Sequence, residues 1–275
     1  MLLPVITLIA ALAVSSCTFR KLLLNNADWL AMRQIDSFFD INSKQRKQIN
    51  PEVKATVAWV KSEKFPELSA LLTEMKKAWE LGITAEKLAE FDVRISAFRV
   101  EIVNQIATPA GVFLASLSDD QIKHLEQELA DSNKRLEKLV AMTPEEFASK
   151  RRDRVLENLE EWFGDLSKGD GEKLINVVGV NRDRVVTHLE GRRVSQKTFV
   201  DFLRTRPTPE AISAQLKLWA DQPETMRGAY ADRYISWRKE SQMTLLEIDK
   251  AITPEQRFLS LQRMQEFIRD LSPSI

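Results

Sequence analysis

A single cysteine, Cys17, stands in 275 residues, so no internal disulfide can staple the fold. Glycine is also scarce: there are eight, under half the usual share of roughly 7 %. Histidine occurs only as His124 and His188, and neither has the His-x-x-x-His or Glu-x-x-His spacing that aims two metal ligands from one helix. No metal ligand set and no cofactor site is therefore expected. Neither sign of charge prevails, since 40 Lys and Arg face 40 Asp and Glu; this removes the electrostatic ground for a nucleic-acid partner. G-x-S-x-G, G-x-G-x-x-G and the phosphate-cradling glycine loop are absent too, and with them the commonest signs of nucleophilic and nucleotide chemistry. No stretch alternates apolar and polar residues as a half-buried strand would. What remains is a chain 29 % charged and poor in glycine, a composition suited to long helices laced with ion pairs.

The longest apolar run, Leu2 to Val14, is short of the roughly 20 residues a membrane-spanning helix needs. Ser15 and Ser16 follow it, and the first charged side chain is Arg20. That is the layout of a secretory signal peptide, although no Lys or Arg precedes the apolar core. Ala11-Leu12-Ala13 offers an A-x-A site for ordinary cleavage. Val14-Ser15-Ser16-Cys17 resembles a bacterial lipobox, which implies cleavage before Cys17 and acylation of its thiol and new amine. Only the second route explains a lone cysteine at the start of the mature chain, because exported proteins usually avoid a free thiol. Several acyl chains anchor a protein stably where one does not. Residues 1–16 are read as the signal peptide, 17–24 as a lipid-anchored tether and 25–275 as the body. Thr18 stands where an Asp would mark inner-membrane retention in lipoproteins, so the resemblance implies the outer membrane, with the body facing the periplasm.

The body is helical in its periodicity. Leu68, Leu71, Leu72, Met75 and Trp79 mark one amphipathic stripe; Leu88, Phe91, Ile95, Phe98, Ile102 and Ile106 mark another. Ile122, Leu125, Leu129, Leu136 and Leu139 continue the pattern, with Asp131 and Arg135 placed as an i,i+4 ion pair. Pro51 and Pro66 are expected near first turns, where a missing N–H costs nothing. The six tryptophans fall mostly on apolar stripes and read as core. The glycine-rich stretch 164–171 is the clearest candidate sub-boundary. The expected fold is all-α: an elongated multi-helix bundle of antiparallel amphipathic helices, with no sheet.

One short pattern recurs: Ile41-Asn42-Ser43-Lys44-Gln45, Leu117-Ser118-Asp119-Asp120-Gln121 and Ile252-Thr253-Pro254-Glu255-Gln256, with looser copies at 83–87 and 142–146. Each is a helix start, in which Ser, Thr or Asn caps free amides and Gln or Glu three residues on reaches back. Repeated motifs of this kind resemble those of the Spy and CpxP periplasmic chaperones. The lipobox followed by Asn25 to Ile49, together with the Trp162-Phe163-Gly164 corner, is similar to an uncharacterised family of proteobacterial all-helical envelope lipoproteins. That likeness implies an envelope location and no particular activity.

Charge is uneven in one place. From Arg182 to Arg206 seven Lys or Arg meet only Asp183, Glu190 and Asp201, a net +4. Arg182, Arg184, Arg192 and Arg193 are candidates for contact with an anionic partner, set against the reading of a solvated helix face. No acid–base or nucleophile constellation appears, so no catalytic residue is assigned. The expected function is non-catalytic: a membrane-anchored lipoprotein whose helical domain binds or scaffolds an envelope protein or peptidoglycan. The alternatives are a tethered chaperone for unfolded chains and an envelope enzyme acting on peptidoglycan. An open apolar groove would favour the chaperone, a deep polar pocket of convergent Glu, Asp or His the enzyme, and a packed body with neither the scaffold. Cys17→Ser should abolish lipid labelling and release the protein from the membrane. Mass spectrometry of the mature N-terminus decides between the two routes, and an unmodified chain beginning at Val14 would establish the A-x-A route instead.

Overall fold

Helix starts organise this chain. In the computed structural model, which describes residues 26–271, the motif copies all open helices. The N–H of Gln45 donates to Asn42 Oδ1 (2.9 Å), that of Gln121 to Ser118 Oγ (3.2 Å) and that of Gln256 to Thr253 Oγ1 (3.2 Å). In return each glutamine Oε1 accepts from the capping residue's own N–H, at 3.1, 3.1 and 3.0 Å. Thr143 and Glu146 form the same reciprocal box. Thr84 caps without reciprocity, because Lys87 carries no acceptor.

The helices are α1 (Ala27–Phe39), α2 (Ser43–Trp59), α3 (Phe65–Glu80), α4 (Ala85–Ala115), α5 (Asp119–Asp131), α6 (Lys134–Val140), α7 (Pro144–Phe163), α8 (Lys168–Val178), α9 (Arg182–Arg204), α10 (Pro209–Asp221), α11 (Ala231–Ala251) and α12 (Pro254–Leu271). Among the described residues there is no strand, and the fold is an all-α helical bundle. No described helix is long and apolar enough to cross a membrane. A π-helical turn, Val60–Lys64, joins α2 to α3 just ahead of Pro66. Pro51 lies inside α2 rather than in a first turn. The Asn42 box starts that helix eight residues earlier than proline placement alone suggests, and the exposed ring of Pro51 is tolerated on the solvent face. Asp131 pairs with Lys134 (2.7 Å) instead of Arg135, because the helix breaks at Ser132-Asn133 and the i,i+4 register is lost.

Two apolar clusters hold the bundle. The first joins Phe39 of α1, Val103 to Leu114 of α4, Leu125 of α5, Val200 and Leu203 of α9, and Ile212 and Trp219 of α10. Gly111 is its tightest point. A Cβ there would stand 2.3 Å from the carbonyl oxygen of Pro209 at the start of α10, so only glycine lets these two helices cross. The second cluster joins Val155, Leu159 and Phe163 of α7, Leu174 and Ile175 of α8, and Ile248 of α11. The helices on both sides of the 164–171 stretch thus pack into one cluster, and Gly164 turns the corner at φ 76°. α12 closes against α3 and α7, with Trp79 Nε1 donating to Ser260 Oγ (2.8 Å).

Gln45 and Gln121 do more than cap. Both are buried, at 5 % and 8 % exposure. Gln45 Nε2 donates to Gln121 Oε1 (3.0 Å), and Gln121 Nε2 donates to Gln45 Oε1 (2.8 Å). Gln121 Nε2 also reaches the carbonyls of Phe39 (3.0 Å) and Asp40 (2.9 Å), the left-handed corner after α1. Leaving a buried polar group unpaired costs about 1–3 kcal/mol. Gln121→Met should therefore lower stability by about that amount in equilibrium denaturation. Adding Gln45→Met should cost less than the two single changes together, since both remove the same pair. Strict additivity would show that the two amides act independently.

Candidate functional site

α4 and α9 are longer than the cluster they help to build. Their partner halves, Val103 to Leu114 and Val200 to Leu203, lie in the first cluster, while Leu88 to Ile95 and Arg184 to His188 do not. α11 likewise gives Ile248 to the second cluster and leaves Tyr234 to Leu245 free of it. These unclaimed halves, with Met75, Leu136, Leu139, Arg151 and Val178, enclose an open cleft of about 670 Å³. That volume is within the range of about 300–1,000 Å³ typical of small-molecule sites. Leu88 and Phe91 are buried in its floor, whereas Ile95 and Leu245 remain 48 % and 43 % exposed.

Cations outnumber acids among the polar groups of the cleft, with Asn181, Ser241 and Gln242 neutral. Arg151, Arg184, Arg227 and Arg238 line it, and among the described residues Asp92 is its one acid. Arg238 holds that carboxylate at 2.5 Å and donates also to Ser96 Oγ (3.0 Å). Arg184 donates to Ser241 Oγ (3.0 Å), and the Arg227 guanidinium lies 4.0 Å from the centre of the Tyr234 ring. Burial lowers the proton affinity of Arg151, and the charges of Arg184 and Arg154 lower it further; burial does the same to Arg227. Arginine nevertheless stays charged at any physiological pH. His188 sits 5.9 Å from the ring of Trp237. It is exposed on the cleft, where the surrounding walls withdraw part of its water. That desolvation, followed by the charges of Arg192, Arg227 and Arg184, holds its pKa below the usual histidine value.

The four arginines singled out by charge density do not converge. Only Arg184 lines the cleft. Arg182 donates to the carbonyl of Val140, Arg192 to Asn133 Oδ1 (2.7 Å) and Ser132 Oγ (2.9 Å), and Arg193 to Glu137 (2.7 Å) and Glu190 (2.6 Å). These three pin α9 to α6 and the turn before it. His124 meets the carbonyl of Ser37 at 2.9 Å. Among the described residues no three His, Cys, Asp or Glu side chains are grouped as metal ligands. Trp219 is the tryptophan fully inside a core, Trp237 lines the cleft, and Trp29 is 56 % exposed. Cys17, the lipid-attachment candidate, and the tether at 17–24 lie outside the described residues. Arg151, Arg227 and Tyr234 escape a reading of the sequence because they come from separate helices and corners; no local spacing links them.

A family model described as "Family of unknown function (DUF6279)" matches residues 37–226. No curated protein matches the chain, and no solved structure does. The match takes in the whole first cluster apart from Met32 and Ile35, and the cleft wall as far as His188. Arg227 and the α11 wall lie just beyond it.

The histidine gives a pH signature. The unfolded chain takes up a proton at the ordinary histidine pKa, while the folded cleft resists it. Stability is therefore complete above the ordinary value and falls as pH drops below it toward the depressed folded value. Denaturant midpoints measured from mildly alkaline to mildly acidic pH should show this fall, and His188→Gln should flatten that part of the profile. Superimposable profiles would contradict the environment described for the ring.

Proposed function

The chain belongs to that family of unknown function, and from this premise we propose that it is a lipid-anchored envelope protein whose helical body binds a ligand in the cleft without transforming it. The observation that carries the reading is the cleft itself. It is open, its walls are largely aliphatic and aromatic, and its one carboxylate is already engaged by Arg238. A general acid or base needs a free group within hydrogen-bond reach of the reacting proton; in the cleft Asp92 is engaged by Arg238, and among the described residues His188 lies beside the Trp237 ring with no acid facing it. Binding asks less: an apolar wall and a few polar groups to set orientation.

Under this reading residues 1–16 are removed, Cys17 carries the acyl groups, palmitate-like chains among them, and residues 17–24 hold the body at the periplasmic face of the outer membrane. The lipobox Val14-Ser15-Ser16-Cys17 supports the anchor, and the absence of Asp after Cys17 supports the outer membrane. An envelope protein or peptidoglycan remains the proposed neighbour that the tether brings within reach. The proteobacterial origin belongs to the same proposal and rests on the same residues.

An uncharged environment-sensitive dye, N-phenylnaphthylamine, tests the cleft. Its fluorescence should rise on mixing with the protein, and Leu245→Asp should suppress the rise while helical circular dichroism stays unchanged. Leu218→Asp, at an equally exposed leucine of α10 outside the cleft, should leave the signal intact. Equal loss in both variants, or in neither, would move the apolar site elsewhere.

A further inference from the structure

Resting on the reading of the cleft as a binding site, we infer that its ligand is an amphipathic anion: an acyl chain ending in a carboxylate or phosphate. Two independent properties of the cleft meet in that class. Leu88, Phe91 and Leu245 supply an apolar wall, while Arg151, Arg184 and Arg227 supply cations from α7, α9 and the corner after α10. Among the described residues none of these three arginines meets a carboxylate. Elsewhere the chain pairs its arginines readily: Arg94 with Glu74, Arg193 with Glu137, Arg204 with Glu126 and Arg263 with Glu161. Acids are not in short supply either, since they equal the bases over the whole sequence. Arg99, Arg182 and Arg192 lack a carboxylate too and donate to protein oxygens elsewhere; what is particular to the cleft is that three such arginines line one space.

Hydrogen-bond supply has the same bias. Arg227 Nε and Trp237 Nε1 are buried donors with no acceptor, and of the cleft's neutral acceptors Asn181 Oδ1 and Ser241 Oγ are already taken by Arg184. A neutral apolar ligand would cover the three arginines and leave their charge desolvated and unpaired, which is costly. A cation would be repelled. A small inorganic anion would satisfy the arginines and leave Ile95 and Leu245 facing water. An acyl chain with an anionic head meets both demands, and the planar guanidinium fork matches carboxylate and phosphate oxygens in pairs.

Binding to the full chain carrying Cys17→Ser, which has no thiol to acylate, tests the inference with four probes: dodecanoate, dodecyl phosphate, uncharged dodecanol and inorganic phosphate. Native mass spectrometry and calorimetry should rank both anionic amphiphiles roughly tenfold to a hundredfold tighter than dodecanol, the scale of one charge-assisted hydrogen bond. Dodecanoate and dodecyl phosphate compared directly identify the preferred head. Arg184→Gln should bring both anions toward the affinity of dodecanol and leave dodecanol unchanged, and Arg184→Lys should retain most of the selectivity. Arg151→Gln should repeat the Arg184→Gln result, so the outcome does not hang on one variant. Dodecanol binding as tightly as dodecanoate would overturn the charge selection while leaving the cleft a binding site. Inorganic phosphate binding as tightly as dodecyl phosphate would overturn the acyl chain. No binding by any amphiphile to a chain that is helical by circular dichroism would overturn the cleft reading itself.

Discussion

Gln45 and Gln121 exchange amide hydrogen bonds across 76 positions of chain, and the placement of the long helices depends on that exchange. Each glutamine is committed to its own helix start through Oε1, so neither can shift without uncapping a helix. Their Nε2 groups then bind the α1–α2 corner to the turn that follows α4. Two local caps become one tertiary joint. The last turns of α4 are fixed there, and Gly111 fixes the same helix against α10 a turn earlier. With its C-terminal half held by the joint and by the first cluster, the N-terminal half of α4 has to project beyond the packed core.

That projection makes the cleft. The first cluster draws in half of α4 and half of α9, and the second takes the end of α11. The remaining halves face one another over a space neither cluster fills. A single well-packed core would have buried Ile95 and Leu245 along with Leu88 and Phe91. Here two cores divide the helices, and an apolar wall is left open with Ile95 and Leu245 still exposed. The arginines add a constraint of the opposite kind. Desolvated cations without carboxylates are costly, and burial lowers the proton affinities of Arg151 and Arg227. A ligand that supplies negative charge relieves that cost, so affinity and anion selection arise from the same feature.

Much of the architecture was legible in the sequence because it is local. The scarcity of glycine, the 3.6-residue spacing of Leu68 to Trp79 and of Leu88 to Ile106, and the capping motifs all act within a few residues, and the all-α fold follows from them. The tertiary duty of the capping glutamines was not legible, since a capping box reads the same whether its glutamine is exposed or buried against another. Charge density singled out Arg184 together with Arg182, Arg192 and Arg193, but on a helix these neighbours point different ways. Three of them bind the carbonyl of Val140, Asn133, and Glu137 with Glu190, and only Arg184 turns into the cleft. Arg151 and Arg227 join it through tertiary placement that no spacing records. Trp237 looked like core for a similar reason: an apolar stripe does not say whether the space it faces is filled.

The central claim is that the unclaimed halves of α4, α9 and α11 form one ligand site. Amide hydrogen exchange of the full protein with and without dodecanoate tests it most directly, because it reports every helix at once. Protection should rise together in residues 88–95, 184–188 and 234–245, while α5 and α10 in the first cluster stay as they were. Protection spread evenly over the bundle, or confined to helices that do not line the cleft, would contradict it.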